Sequence, residues 1–206
     1  MFTRSLQAGY LGASDLSASR GGFALFENIS FSVASGCALR VTGPNGTGKT
    51  TLLRCLAGLI RADSGIITAP DDNELHYLGH LNAMKPQLTV VENLNFWAKL
   101  NNGGIIAATL EAALETLNLK RLTNLPFSVL SSGQKRRVAL ARLMLVPRAV
   151  WLLDEPTVGL DTASQSIVDA MFANHLAEGG IIIAATHTPL GGSNWQTLQL
   201  GQVQAR

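Results

Sequence analysis

Three stretches of this chain are apolar at nearly every position: Cys37-Ala38-Leu39-Arg40-Val41, Ala149-Val150-Trp151-Leu152-Leu153 and Ile181-Ile182-Ile183-Ala184-Ala185. Runs of that length without alternation read as strands covered on both faces, the habit of parallel sheets. A different rhythm marks Leu25, Phe26, Ile29, Phe31 and Val33, whose near-alternation fits an antiparallel strand capping a core sheet. Ser64–Thr68 and Leu75–Leu78 read as further strands. From Val90 to about Leu122 the period becomes helical, with Leu110, Ala113, Leu114 and Leu117 on one face. Helical patterns also cover Thr51–Ala57, Lys135–Leu145 and Thr162–Ala177. The return of strand, helix and strand after the helical middle predicts an α/β fold with a parallel core. It is expected as one domain over 1–206, with a helical insert at about 85–130.

Composition narrows this little. Of 206 residues 47% are hydrophobic and 15% charged, which fits a folded chain with apolar strands. A net charge of +2 does not suggest a general polyanion binder, and no nucleic-acid partner is expected. No run reaches the ~18 apolar residues that span a bilayer. Met1 to Tyr10 lacks an apolar export core and reads as a ragged end. Cys37 and Cys55 read as small apolar residues rather than a disulfide, pointing to a reducing compartment.

The chemistry begins directly after the first apolar run. Gly43-Pro44-Asn45-Gly46-Thr47-Gly48-Lys49-Thr50 matches G-x-x-x-x-G-K-[ST], between a strand and a helix continuing through Thr51. Such a loop turns successive N–H groups toward anionic oxygens, and the helix N-terminus adds partial positive charge. Lys49 is placed for the β- and γ-phosphates of ATP, and the Thr50 hydroxyl for Mg²⁺. Farther on, the apolar run Val150–Leu153 ends in Asp154 and Glu155. An acid at a strand end can hold Mg²⁺ through water, so Asp154 is the second candidate metal residue. Glu155, one residue on, points elsewhere and is the candidate general base.

Leu130-Ser131-Ser132-Gly133-Gln134 precedes a helix that Ser131 or Ser132 can cap. Coming after a phosphate loop, it resembles the LSGGQ signature of ABC-type ATPases, with Ser132 in place of the first glycine. Nearly the whole chain shares in that resemblance, and the motifs come in the family's order. It implies a RecA-like parallel-sheet core with an antiparallel β subdomain and a helical subdomain. It further implies a head-to-tail homodimer in which Ser131, Ser132, Gly133 and Gln134 of one chain cover the ATP held by the other. Asp161, in Val158-Gly159-Leu160-Asp161, then communicates across the dimer. His187, after the third apolar run, reaches the γ-phosphate and joins Glu155 and Lys49 as catalytic.

Two departures narrow the family. His80 stands where most members carry a glutamine, which would make turnover depend on histidine protonation. Arg20 stands at the usual adenine-stacking aromatic, with Phe23 nearby; a guanidinium plane can also stack on a base. Tyr77-Leu78-Gly79-His80, the segment from Leu130 through Leu143, and Gly179–Leu190 look like the ATP-binding subunits of the cytochrome c maturation system. That resemblance implies a peripheral ATPase on the cytoplasmic face of the inner membrane, working with integral membrane subunits that handle heme. It also implies a groove between core and helical insert, lined around His80–Glu92, for a short helix of a membrane subunit, with Phe96 and Trp97 as candidate contacts. The alternatives are an exporter subunit for a lipid or drug, a soluble ABC ATPase acting on nucleic acid or the ribosome, and a module that binds without hydrolysing. Lys49 and Glu155 argue against the last.

Overall fold

Nine strands and five helices form two sheets and their coverings in the computed structural model, which describes residues 2–6, 9–71, 74–102, 107–191 and 195–201. In chain order they are β1 (Phe2–Leu6), β2 (Tyr10–Arg20), β3 (Phe23–Ala34), β4 (Ala38–Thr42), α1 (Lys49–Leu56), β5 (Ser64–Ala69), β6 (Leu75–Leu78), α2 (Val90–Asn102), α3 (Ala107–Thr116), α4 (Ser132–Leu145), β7 (Val150–Asp154), α5 (Thr162–Ala177), β8 (Ile181–Ala185) and β9 (Trp195–Gln199). Two short 3-10 turns, Lys120–Leu122 and Phe127–Val129, lead into α4.

The larger sheet has the order β6-β7-β8-β4-β9, and β7–β8, β8–β4 and β4–β9 are parallel. The three apolar runs lie side by side at its centre, and every residue of β7 and β8 is buried. Their β-branched and leucine side chains therefore read as uninterrupted runs for the expected reason. The second sheet, β1-β5-β2-β3, pairs β2 antiparallel with both β3 and β5. These strands share one apolar cluster with α1 and the large sheet, in which Leu11, Leu16, Leu39, Leu52, Leu53, Leu56 and Ile67 have no exposed surface beyond 2%.

The N-terminus departs from expectation. Phe2–Leu6 is a strand, parallel to β5, rather than a ragged end. Its five residues carry no decisive period, and the open edge of β5 supplies the ladder. Cys55 is buried and Cys37 half-buried, both free; burial pushes the Cys55 thiol up to about 11, so it stays protonated and inert.

The chain divides into two units. One comprises Met1–Tyr77, Arg148–Glu155 and Phe172–Arg206; the other comprises Leu78–Pro147 and Pro156–Met171. Within the second, a capping box starts α2: the Thr89 N–H and hydroxyl both donate to Glu92 Oε2 at 2.8 Å, and Glu92 N–H donates back to Thr89 Oγ1. Buried Asn93 then clamps the preceding loop, donating through Nδ2 to the carbonyls of Lys85, Leu88 and Thr89 and accepting from Lys85 N–H. Helix α4 is buried on most sides, which is why it carries Val138, Ala139, Leu140, Ala141 and Leu143 in near succession.

Candidate functional site

Register brings the chemistry to one end of the parallel sheet. Asp154 lies beside Ala185, and Ala185 beside Val41, so the carboxyl ends of β7, β8 and β4 are level. In open parallel sheets that end is where ligands bind. The phosphate-loop sequence leaves β4 there, and Glu155 and His187 follow the ends of β7 and β8 by one and two residues.

Backbone conformation explains the glycines of the loop. Gly43 has φ 137°, and a Cβ there would meet the Leu200 carbonyl oxygen at 2.5 Å. Gly48, with φ 94°, precedes α1, and a Cβ would lie 2.9 Å from Leu25 Cβ and Phe26 Cδ1. Any side chain at either position would strain the loop or push β3 away. Helix α1 starts at Lys49, so Lys49, Thr50 and Thr51 form its first turn, where amides lack intrahelical partners. Pro44, Asn45 and Gly46 are exposed, and the Thr47 hydroxyl donates to the Pro44 carbonyl at 2.9 Å. The Lys49 ammonium donates to the carbonyls of Gly43 (2.7 Å) and Pro44 (3.0 Å), which folds it back over the loop.

Thr50 Oγ1 donates to Asp154 Oδ2 at 2.8 Å, joining the two candidate metal residues directly. Asp154 is 4% exposed. Glu155 has φ 49°, a left-handed conformation that is rare for glutamate and costs about 1–3 kcal/mol. Its N–H is fixed to the Ala185 carbonyl at 2.8 Å, extending the β7–β8 ladder by one bond. The turn aims its side chain toward His187, with Nε2 3.9 Å from Glu155 Oε1. The carboxylate is mostly buried and the imidazole half-exposed. Strain of this kind clusters at active sites, which keeps Glu155 a candidate functional residue.

Arg20 and Phe23 pair across the end of the β2–β3 hairpin, both exposed, with Phe23 at 78%. Leu25 and Phe26, a few residues on, are the side chains that abut Gly48.

The remaining candidates belong to the helical unit. Ser131, not Ser132, caps α4: Gln134 N–H donates to Ser131 Oγ at 3.2 Å and Ser131 N–H to Gln134 Oε1 at 2.9 Å. Ser132 is left exposed at the first helical position. A Cβ on Gly133 would come within 2.6 Å of the Gly159 carbonyl, so the signature and the 158–161 loop touch backbone to backbone. Asp161 accepts from Ser164 N–H at 2.8 Å, capping α5, and Ser164 holds its carboxyl below the usual range. His80 is exposed.

Arg136 was not among the residues singled out from the sequence. Only 4% exposed, it donates from Nε to the Pro156 carbonyl (3.1 Å) and from Nη1 to the Gly79 carbonyl (3.0 Å) and Asn82 Oδ1 (3.2 Å). One side chain thus ties the signature helix to the residue after Glu155 and the residue before His80. Its position in the buried stripe of α4 was the available signal. Arg136→Ala would leave these acceptors without a donor, which should cost about 2–4 kcal/mol. Thermal unfolding should show it as a midpoint about 5–15 °C lower; an unchanged midpoint would mean the guanidinium is not structural.

Residues 26–158 match the ABC transporter family. The chain belongs to that family. Among curated ABC relatives, it is 46% identical over 202 residues to the "Cytochrome c biogenesis ATP-binding export protein CcmA" of Rhizobium johnstonii, covering 93% of this chain and 94% of that one. The protein of the same name from Paracoccus denitrificans is 49% identical over 195 residues, covering 95% and 90%. A solved structure of a putative ABC transporter ATP-binding protein from Pyrococcus furiosus superposes with a TM-score of 0.82 at 27% identity, over 93% of this chain and 97% of that one. The expected fold class is thereby established: a mixed α/β ABC ATPase with a parallel core, an antiparallel sheet and helices. ABC membership makes the chain an ATP-binding, ATP-hydrolysing transporter component.

Proposed function

We propose that this chain is the ATP-hydrolysing subunit of an export complex in cytochrome c biogenesis, bound to membrane subunits that handle heme. The observation that carries the reading is the catalytic row: Thr50 on Asp154, and Glu155 beside His187, at the sheet end where the phosphate loop begins. The relatives' name supplies the process.

In this reading the N–H groups of residues 45–50 receive the phosphates, and Lys49 exchanges the Gly43 and Pro44 carbonyls for the β- and γ-phosphate oxygens. Arg20, with Phe23 across the hairpin, stacks on the adenine. Glu155 orients water and takes its proton as the water oxygen bonds to the γ-phosphorus and the bond to the ADP oxygen breaks. His187 donates to the γ-phosphate. Thr50 and Asp154 are hard oxygen donors that suit Mg²⁺, a metal that keeps water and phosphate oxygens in its shell. When bound, it supplies charge neutralisation on the phosphates.

Ser131, Ser132, Gly133 and Gln134 of a second copy complete each pocket, and Asp161 relays between the two. ATP then binds the closed pair better than the open one, and a difference of about 5.5 kcal/mol turns a 1:99 population into 99:1. His80 takes the sequence position of the family's glutamine, where its protonation would bear on turnover.

No described helix is long and apolar enough to cross a membrane. The relatives' description as ATP-binding export proteins supports a peripheral place on the cytoplasmic face of the inner membrane, held by membrane subunits. The docking surface is a cavity of about 290 Å³ within the helical unit, lined by Ala83, Met84, Lys85, Asn93, Phe96, Trp97 and Leu100. Phe96 (41%) and Leu100 (66%) leave apolar surface open there.

Deleting the gene should abolish holo c-type cytochromes, read by heme staining of membranes, and wild-type protein should restore them and co-purify with integral subunits. Normal c-type cytochromes in the deletion strain would defeat the assignment.

A further inference from the structure

The cavity of the helical unit is more than apolar. Two of its aromatic rings each carry a cation. Lys85 Nζ lies 4.0 Å from the centre of the Phe96 ring, and the Arg142 guanidinium 4.2 Å from the centre of the Trp97 ring. Lys85 is exposed at the rim, whereas Arg142 is 3% exposed, behind the ring that forms the wall. Neither forms an ion pair among the described residues. Arg142 Nε donates to the Ala139 carbonyl at 3.2 Å, but its Nη1 is buried without a hydrogen-bond partner. Burial, and next the nearby Arg136, push this guanidinium down to about 10, so it is still charged at neutral pH.

Among the described residues the lining contains no carboxylate. The single acid of α2, Glu92, is committed to the Thr89 cap, whose hydrogen bonds hold it below the usual carboxylate range. An apolar pocket with an exposed ammonium at its lip and a buried guanidinium behind its wall, neither ion-paired among the described residues, is complementary to an apolar group flanked by a negative one. The clamp by Asn93 keeps the Lys85 backbone in place before anything binds, so the ammonium is presented rather than recruited.

We infer that the cavity accepts a cytoplasmic segment of a membrane subunit that seats one large apolar side chain against Phe96, Trp97 and Leu100 and sets an adjacent Asp or Glu on Lys85. This rests on the functional reading above and adds the chemistry of the partner. Lys85 is then the residue that selects and registers the segment, with the apolar contact supplying most of the affinity. A basic or neutral segment would leave the ammonium facing a like charge or an apolar surface, and would be rejected.

Membranes containing the assembled complex, treated with a zero-length carbodiimide that joins amines directly to carboxylates, should yield an amide between Lys85 and one Asp or Glu in a cytoplasmic stretch of an integral subunit. Lys85→Glu should lower recovery of the complex about tenfold or more, Lys85→Arg should preserve it, and reversal of the cross-linked carboxylate to Lys should restore assembly with Lys85→Glu. A melting curve matching the wild type separates lost docking from lost folding. If the complex assembles but Lys85 joins no carboxylate of an integral subunit, or Lys85→Glu assembles normally, the inference is overturned while the functional reading stands. A cross-link to a second copy of this chain would also overturn it, marking the face as a self-contact. If wild-type protein brings down no integral subunit at all, both fall.

Discussion

Glu155→Gln should bind ATP, accumulate as a nucleotide-bound dimer and turn over about 10²–10⁴ times more slowly than wild type, the loss expected for a missing general base. The amide keeps the size and shape of the side chain but cannot take a proton from water. The fold has no reason to respond. The left-handed turn at 155 is held by its N–H bond to the Ala185 carbonyl, a main-chain contact that the substitution leaves alone. In the proposed dimer, closure is driven by binding and opening follows hydrolysis, so slowing chemistry without harming binding should trap the closed state. Size-exclusion chromatography with and without ATP, beside a steady-state phosphate-release assay, reads both parts. Turnover equal to wild type would falsify the base assignment. A monomer that never dimerises would remove the closure step.

Lys49→Ala should lose hydrolysis and most of its ATP affinity while remaining folded. The ammonium's two hydrogen bonds go to loop carbonyls, at 2.7 and 3.0 Å, and Gly43 and Pro44 keep their own backbone restraints without it. Towards phosphate the loss is larger, because a charge-assisted hydrogen bond is worth about 1.5–3 kcal/mol. Two such bonds correspond to at least about a hundredfold in affinity. Fluorescent-nucleotide titration gives the affinity and circular dichroism the fold. Ordinary hydrolysis by this variant would put the phosphate site somewhere else on the molecule.

The two substitutions differ in what they remove. In the proposed roles, Lys49 acts on phosphates in ground and transition states alike, whereas Glu155 acts when water gives up its proton. Their kinetic signatures should therefore separate, with affinity falling in the first and kcat in the second.

Much of this site was readable from the chain alone. A phosphate loop is a local object: glycines at set positions, a strand before and a helix after. Its sequence is enough because the backbone that cradles phosphate is made by eight consecutive residues. The acids at 154 and 155 were readable for a related reason, since an apolar run must end at a sheet edge and polar residues at that edge face solvent or ligand. The continuous runs at 149–153 and 181–185 announced a parallel sheet because burial on both faces leaves no room for polar alternation.

Long-range contacts were not readable. Nothing near Phe2–Leu6 says that the strand pairs with β5, about sixty residues on, because a five-residue edge strand draws its hydrogen bonds from elsewhere. The bond between Thr50 and Asp154 spans 104 positions and needs β4 and β7 brought level through β8. Arg136 looked like one cation in the pair Arg136-Arg137, and only the folded helical unit shows it buried on the carbonyls of Gly79 and Pro156. The charge behind Trp97 is likewise a matter of packing between α2 and α4. Sequence by itself determined the family, the phosphate loop and the identity of the candidate acid and base, since each is encoded in consecutive residues. Tertiary structure alone decided the register that lines the acids up with the loop, the bend that turns Glu155 toward His187, and the cations around the cavity of the helical unit. Those depend on residues far apart in the chain, which meet only when the sheets and helices are packed.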